Sequence, residues 1–304
     1  MSLDKQLRPL TWDSYINQDQ IKNVLRRALA AAKKRGESLD HLLLTGPPGL
    51  GKTSLARLTG GQDLISLMAR DYEELEAGLA RELESRDTNT IDFLFIDEVH
   101  ALDIGSQERL AILMDKGGRG TIIAATTQPA KIIPPLRDRF PLLLRVDFYP
   151  VSALAQIIEN SARALNVGMD EGASVALAKR SRGVPRIANH LLRRVRDATN
   201  QASAQDVADI LTELGIDEWG IRPEEEKYLI ALGVRFNGGP TGAATLAGVL
   251  SENIRTVKEI FEPFLLRLGF LEITGQGRRL TQAGKNYLRV KLGHTGSSLE
   301  DILS

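Results

Sequence analysis

The sequence contains no cysteine, which excludes a disulfide framework and any thiolate metal site. No run of about 18 apolar residues is present that could span a bilayer as a helix, so no membrane role is expected. Met1-Ser2-Leu3-Asp4-Lys5 lacks the apolar core of a signal peptide, and cytoplasmic residence is the expectation. Net charge is also missing, since 39 Lys and Arg balance 39 Asp and Glu. Any contact with nucleic acid must therefore come from local clusters of basic side chains, not from the field of the whole molecule. What is present is a globular composition, 42% hydrophobic and 26% charged over 304 residues, a length that suits two or three domains better than one core.

His41-Leu42-Leu43-Leu44 is a short apolar run that predicts a buried strand, and it leads directly into Gly46-Pro47-Pro48-Gly49-Leu50-Gly51-Lys52-Thr53. That is a complete G-x-x-x-x-G-K-T loop. Its glycines let backbone N–H groups curl around phosphate oxygens, Lys52 supplies charge to the β and γ phosphates of ATP, and Thr53 offers a hydroxyl to Mg2+. Ser54 opens the helix whose N-terminus faces the anion. Ile91 to Ile96 is a second strand, apolar on both faces and closed by Asp97-Glu98. Asp97 is suited to the magnesium shell and Glu98, one residue on, to polarising the attacking water. A third apolar strand, Gly120 to Ala125, ends in Thr126-Thr127. Thr127 is either a holder of water or phosphate, or only a turn former.

Pro134-Pro135-Leu136-Arg137-Asp138-Arg139-Phe140 and Gly183-Val184-Pro185-Arg186 follow. In this order the segments resemble AAA+ ATPases: an α/β P-loop domain with a parallel sheet and a helical lid. The resemblance gives Arg139 the place of an arginine finger reaching a neighbour's γ-phosphate, hence an oligomer, and gives Arg186, beside Pro185, the place of a sensor on the lid of its own subunit. It also implies that the segment before the first strand wraps the adenine, with Tyr15 and Ile16 as the contacting residues.

From Pro150 the β pattern gives way to three amphipathic helices, Ala153 to Ala164, Glu171 to Arg182 and Arg186 to Asn200. Beyond Trp219-Gly220, helices are predicted over Pro223 to Phe236, Thr241 to Leu250 and Ile254 to Leu268, then a Gly-rich hairpin around Thr274 to Thr281. Three helices and a two-stranded wing make a C-terminal winged helix, with Arg278 and Arg279 expected to present charge to DNA phosphates. The expected division is 1–150 ATPase, 151–218 lid, 219–292 winged helix and 293–304 flexible tail. The tail begins Gly293-His294-Thr295-Gly296-Ser297-Ser298 and reads as a linker with an amphipathic tip or as a frayed terminus.

Over nearly its whole length the chain resembles the RuvB family of Holliday-junction motors. The resemblance rests on Leu7-Arg8-Pro9, the loop from Gly46 to Thr53, Phe95-Ile96-Asp97-Glu98-Val99-His100, Ala125-Thr126-Thr127, Pro135 to Phe140, Pro185-Arg186-Ile187-Ala188-Asn189 and Leu268-Gly269-Phe270-Leu271. It implies a hexameric ring on duplex DNA that hydrolyses Mg-ATP to translocate, with an ATP-switched loader as the alternative. Two departures stand out. The family carries a RuvA-docking β-hairpin between the acidic pair and the third strand, whereas here a helix over Ser106 to Met114 runs into the short turn Asp115 to Gly120. Binding of a standard RuvA through the ATPase domain is therefore not expected. Gln128 stands where the family has arginine, and Leu64 to Thr90 does not follow the family pattern.

Overall fold

The computed structural model describes residues 6–61, 64–68, 93–115 and 120–295. Its backbone forms two compact units, Met1–Ala204 and Gln205–Ser304.

The first unit begins with α1 (Asp19–Arg35), amphipathic and ended by Gly36 in the left-handed conformation. It then builds a parallel five-stranded sheet from β1 (Leu42–Thr45), β2 (Leu64–Met68), β3 (Phe93–Asp97), β4 (Thr121–Thr126) and β5 (Leu142–Arg145). The spatial order is β2-β3-β4-β1-β5. Parallel strands need crossovers. Two of them are α2 (Lys52–Gly60), after β1, and α3 (Ile104–Asp115), after β3. The central strands have lost contact with water on both faces, as expected of a parallel sheet covered on each side: Leu42, Leu43, Leu44, Phe95, Ile96 and Ile123 are completely buried. On one face Leu43, Leu94, Ile96, Ile122 and Ala124 pack with Val99, Leu110 and Leu136. At about 1.5–3 kcal/mol for each large aliphatic side chain, this cluster is what holds the strand ends in register.

That register decides where chemistry can occur. Leu42 pairs with Ile123 and Thr45 with Thr126, while Ile96 pairs with Ala124. The loop after Thr45, the carboxylates after Ile96 and the hydroxyls closing β4 therefore emerge at one edge, the carboxyl end of a parallel sheet where ligands bind. Because β4 lies between β1 and β3, Thr127 stands between the phosphate loop and the acidic pair.

Three lid helices complete this unit: α4 (Val151–Ala164), α5 (Glu171–Arg180) and α6 (Pro185–Ala198). Asp170 caps α5 by accepting from the Ala173 N–H at 2.6 Å, and Pro185 occupies the first turn of α6, where its missing N–H costs nothing. Two-residue strands β6 (Gly168–Met169) and β7 (Gln201–Ala202) tie the lid together. They and the edge strands β2 and β5 are too short or too exposed to carry a sequence signal.

The second unit starts within α7 (Ala204–Glu213), which the sequence pattern did not reveal. It continues through α8 (Pro223–Ile230), α9 (Ala243–Leu250), a third helix α10 over 254–267, an antiparallel hairpin of β8 (Leu271–Thr274) and β9 (Gly277–Leu280), and α11 (Gln282–Thr295). A π-helical stretch, Ala231–Arg235, continues directly from α8, and another, Val257–Phe261, lies within α10. Its core gathers Tyr228, Leu232, Leu246, Val257, Phe270 and Leu280. From α8 onward this is the winged helix expected, whereas α7 falls within the span expected for the lid. The expected linker at Gly293 is corrected at its start, since Gly293, His294 and Thr295 continue α11; 296–304 lie outside the described residues, as do 69–92 and the turn residues 116–119.

Candidate active site

Gly46 (φ 136°), Gly49 (φ 81°) and Gly51 (φ 100°) bend the loop after β1 through conformations that other residues rarely adopt. Space also demands them. A Cβ on Gly46 would lie 2.3 Å from the Val146 carbonyl oxygen, and one on Gly51 would lie 2.7 Å from the Tyr15 hydroxyl. Lys52 Nζ folds back onto the Gly46 and Pro47 carbonyls at 2.7 and 2.9 Å. Burial lowers its pKa, against the opposing pull of Glu98 and Asp97. The Thr53 hydroxyl donates to Asp97 Oδ2 at 3.0 Å. A hydroxyl and a carboxylate oxygen brought together beside a phosphate loop are the hard oxygen donors that Mg2+ takes from proteins, so the residues fit that ion.

Glu98 follows in the left-handed conformation. Its Oε2 accepts from the Thr127 hydroxyl at 3.0 Å and from the Thr127 N–H at 3.3 Å, and lies 3.1 Å from His100 Nδ1. Thr127 is thus more than a turn former, although it reaches the site through Glu98.

A cavity of about 670 Å³ lies against the loop, lined among others by Tyr15, Ile16, Pro48, Gly49, Gly51, Lys52, Thr53, Ser54, Asp97, Glu98, Pro185 and Arg186. This volume lies within the range of small-ligand sites. Gly46, Pro47 and Leu50 frame the loop without lining the cavity. Leu50 is fully buried, and its carbonyl accepts from the Tyr149 hydroxyl at 3.1 Å. The Tyr15 and Tyr149 hydroxyls are also 3.1 Å apart. Burial raises both phenols, Tyr149 to about 12. The lid closes one wall, with the Arg186 N–H donating to the Gly49 carbonyl at 3.4 Å.

Arg8 also lines the cavity. Burial, then Arg57 and Arg186, lowers its pKa while Asp97 raises it. Sequence reasoning did not single out Arg8 or Tyr149 as site residues; the only signal was Arg8's place in Leu7-Arg8-Pro9. Arg139 is outside its own chain's cavity. Its Nε donates to Asp115 Oδ1 at 2.9 Å, and this pairing lowers the Asp115 pKa and raises that of Arg139.

In the winged helix one expectation is overturned. Arg278 is not displayed on the wing tip, which is Gly275-Gln276. It binds Glu262 through two hydrogen bonds of 2.8 and 3.0 Å, with side chains only 14% and 2% exposed, and the Tyr228 hydroxyl donates to the same carboxylate at 3.2 Å. Arg279, facing outward, pairs with Glu272 at 2.7 Å with both side chains about half exposed.

A parallel sheet with a strand inserted between the phosphate loop and the acidic pair, a helical lid bearing a cation into the same cavity, and a winged helix together define an AAA+ P-loop ATPase. Three family models match in chain order: the Holliday junction DNA helicase RuvB P-loop domain over residues 7–117, the RuvB AAA lid domain over 149–221 and the RuvB C-terminal winged helix domain over 218–289. The chain belongs to the RuvB family and is an ATP-binding, ATP-hydrolysing member of it. Among its relatives, the Holliday junction branch migration complex subunit RuvB of Chloroflexus aurantiacus is 39% identical across 94% of this chain and 89% of its own length. That of Bdellovibrio bacteriovorus is 38% identical across 94% of each. The Thermotoga maritima RuvB Holliday junction branch migration motor superposes with a TM-score of 0.81 at 35% identity, covering 93% of this chain and 98% of that one. No described helix is long and apolar enough to cross a membrane.

Proposed function

We propose that this chain assembles as a hexameric ring on duplex DNA and couples Mg-ATP hydrolysis to movement of a branched junction. The observation that carries the reading is the division of the ATP site. Most of the side chains read as binding and polarising the nucleotide line one cavity, whereas Arg139 sits outside it, paired with Asp115, which supports the reading that it serves a neighbour's site. Lys52, Arg8 and Arg186 would attract the phosphates, Tyr15 and Ile16 would border the adenine end, and Thr53 with Asp97 would hold the metal. Mg2+ when bound supplies charge to the β and γ oxygens. Glu98 takes the proton of the attacking water, and Thr127 fixes Glu98. The division 1–150, 151–218 and 219–292 then assigns motor, lid and DNA contact, with Arg279 among the DNA-facing cations. The short connection between α3 and β4 supports recruitment without a RuvA-docking hairpin.

Migration of a synthetic four-way junction by the purified protein, with and without a RuvA, tests this. Wild type is expected to migrate the junction with no stimulation by RuvA. Glu98→Gln is expected to bind ATP and assemble without migrating it, and Lys52→Ala to lose nucleotide affinity. Assembly and hydrolysis on DNA without junction movement would make the protein a loader. Robust stimulation by RuvA would refute the inference from the short connection.

A further inference from the structure

We propose that His100 is a positioning residue for Glu98: its Nδ1–H holds one carboxylate oxygen so that the other is presented to the nucleotide cavity. The inference rests on the reading of Glu98 as the group that activates water, and it concerns what keeps that group aimed.

Three polar atoms converge on Glu98 Oε2: the Thr127 hydroxyl at 3.0 Å, the Thr127 N–H at 3.3 Å and His100 Nδ1 at 3.1 Å. Among the described residues no donor reaches Oε1. His100 Nδ1 also lies 3.0 Å from the Thr126 hydroxyl oxygen, which accepts the Gln128 N–H at 3.0 Å. The carboxylate is the neighbour that selects the tautomer, because the Thr126 hydroxyl can meet either form. An unprotonated Nδ1 would set its lone pair against a carboxylate oxygen at hydrogen-bond distance, which is repulsive; a protonated Nδ1 makes a charge-assisted hydrogen bond there.

The backbone explains how the imidazole gets there. Glu98, left-handed at φ 53°, turns the chain into the short 3-10 turn Val99–Ala101. Val99 is fully buried in the sheet's core cluster, which anchors that turn. The His100 side chain is only 12% exposed, so it has little freedom to leave. Both donors from Thr127 approach from the end of β4, which leaves the carboxylate free to rotate about that contact. His100 approaches from the turn after β3, and two directions of attachment fix a planar group where one does not. A misaimed catalytic group loses rate out of proportion to the displacement, about a hundred-fold for 1 Å.

The test compares His100 variants by single-turnover ATP hydrolysis and by ATP affinity. His100→Ala is expected to slow hydrolysis about ten- to a hundred-fold with ATP affinity within about two-fold. His100→Asn, whose amide nitrogen occupies the Nδ1 place, is expected to recover most of the rate. His100→Gln, whose amide reaches the Nε2 place, is expected to recover little. On a Glu98→Gln background, His100→Ala is expected to add no further loss, because both changes act through one carboxylate. A near-normal rate for His100→Ala, equal rates for the Asn and Gln variants, or full additivity with Glu98→Gln would each overturn the proposal. Should the Ala variant melt below the assay temperature, the Asn and Gln pair decides alone. Normal hydrolysis by Glu98→Gln would instead overturn the reading of Glu98, an outcome distinct from a failure of His100.

Discussion

Arg278→Ala should unfold the winged helix more readily without being a DNA-contact mutation. Glu262 is 2% exposed and Arg278 14% exposed, so deleting the guanidinium leaves a carboxylate stranded in the core with only the Tyr228 hydroxyl beside it. Breaking a buried pair from one side costs about 3–5 kcal/mol, a large share of the roughly 5–15 kcal/mol that holds a small domain folded. With a urea slope near 2 kcal/mol/M, the unfolding midpoint should fall by roughly 1.5–2.5 M. Trp219 reports on this unit directly, since it packs edge-on against Phe270 with ring centroids 5.4 Å apart. In a Trp12→Phe background its fluorescence is the only indole signal, because the chain has two tryptophans. Replacing the whole triad by Tyr228→Phe, Glu262→Leu and Arg278→Met should restore most of the midpoint, because no buried polar group is then left unpaired. A midpoint unchanged by Arg278→Ala, together with weakened duplex binding, would refute this argument and return Arg278 to the DNA interface.

Arg139→Ala is expected to abolish ATPase as a pure protein and to be partly rescued by mixing with Lys52→Ala, because each lacks a different half of a shared site; mixed rings that form but recover no activity would remove Arg139 from trans catalysis. Alkali should destabilise the first unit between pH 10 and 12. Tyr149 ionises near 10 when unfolded and near 12 when folded, so its contribution is complete below pH 10 and is lost as pH rises through 12. The loss is about 3 kcal/mol, from a shift of about two units, and Tyr149→Phe should flatten that part of the stability profile measured by chemical denaturation; an equally steep decline in the variant would assign it to other groups.

How much was legible depended on how local the signal was. The phosphate loop and Asp97-Glu98 were readable because strand, turn and side chain are contiguous, and a buried strand ending in glycines or carboxylates has few other uses. The role of Thr127 was not decidable, because it depends on β4 lying between β1 and β3, a matter of topology and not of neighbouring residues. Arg8 was hidden because a lone arginine near a terminus has no pattern to distinguish it from a solvated one. Arg278 was misread although a signal existed. In a strand, residues two apart share a face, so Arg278 lies on the side of Leu280, which is 3% exposed, and Arg279 on the other. The hairpin's composition suggested a charged wing, while its period already turned one of the two arginines inward. Its partner Glu262, 16 residues away on α10, could not be foreseen.

The same cations that were hard to read one at a time explain together how nucleotide state could reach the lid. Arg8, Lys52 and Arg186 border one cavity, and burial lowers the pKa of both Arg8 and Lys52. Arg186 adds to that lowering in each case; for Arg8 it outweighs the opposing Asp97, whereas for Lys52 Glu98 and Asp97 each outweigh Arg186. Arg8 and Lys52 are destabilised by desolvation, and Arg8 also by its cationic neighbours; a bound polyphosphate would relieve both. By reciprocity, whatever relieves these charges is bound more tightly by the arrangement that brings them closest. Arg186 belongs to the lid, its N–H reaching the Gly49 carbonyl, and Tyr149, just before α4, bonds the Leu50 carbonyl. The lid side is therefore attached to backbone carbonyls of the phosphate loop, and its charge would draw it to an occupant. Loss of one phosphate from a bound nucleotide is expected to weaken the second attachment and leave the first, so that lid movement on hydrolysis would pivot on the loop.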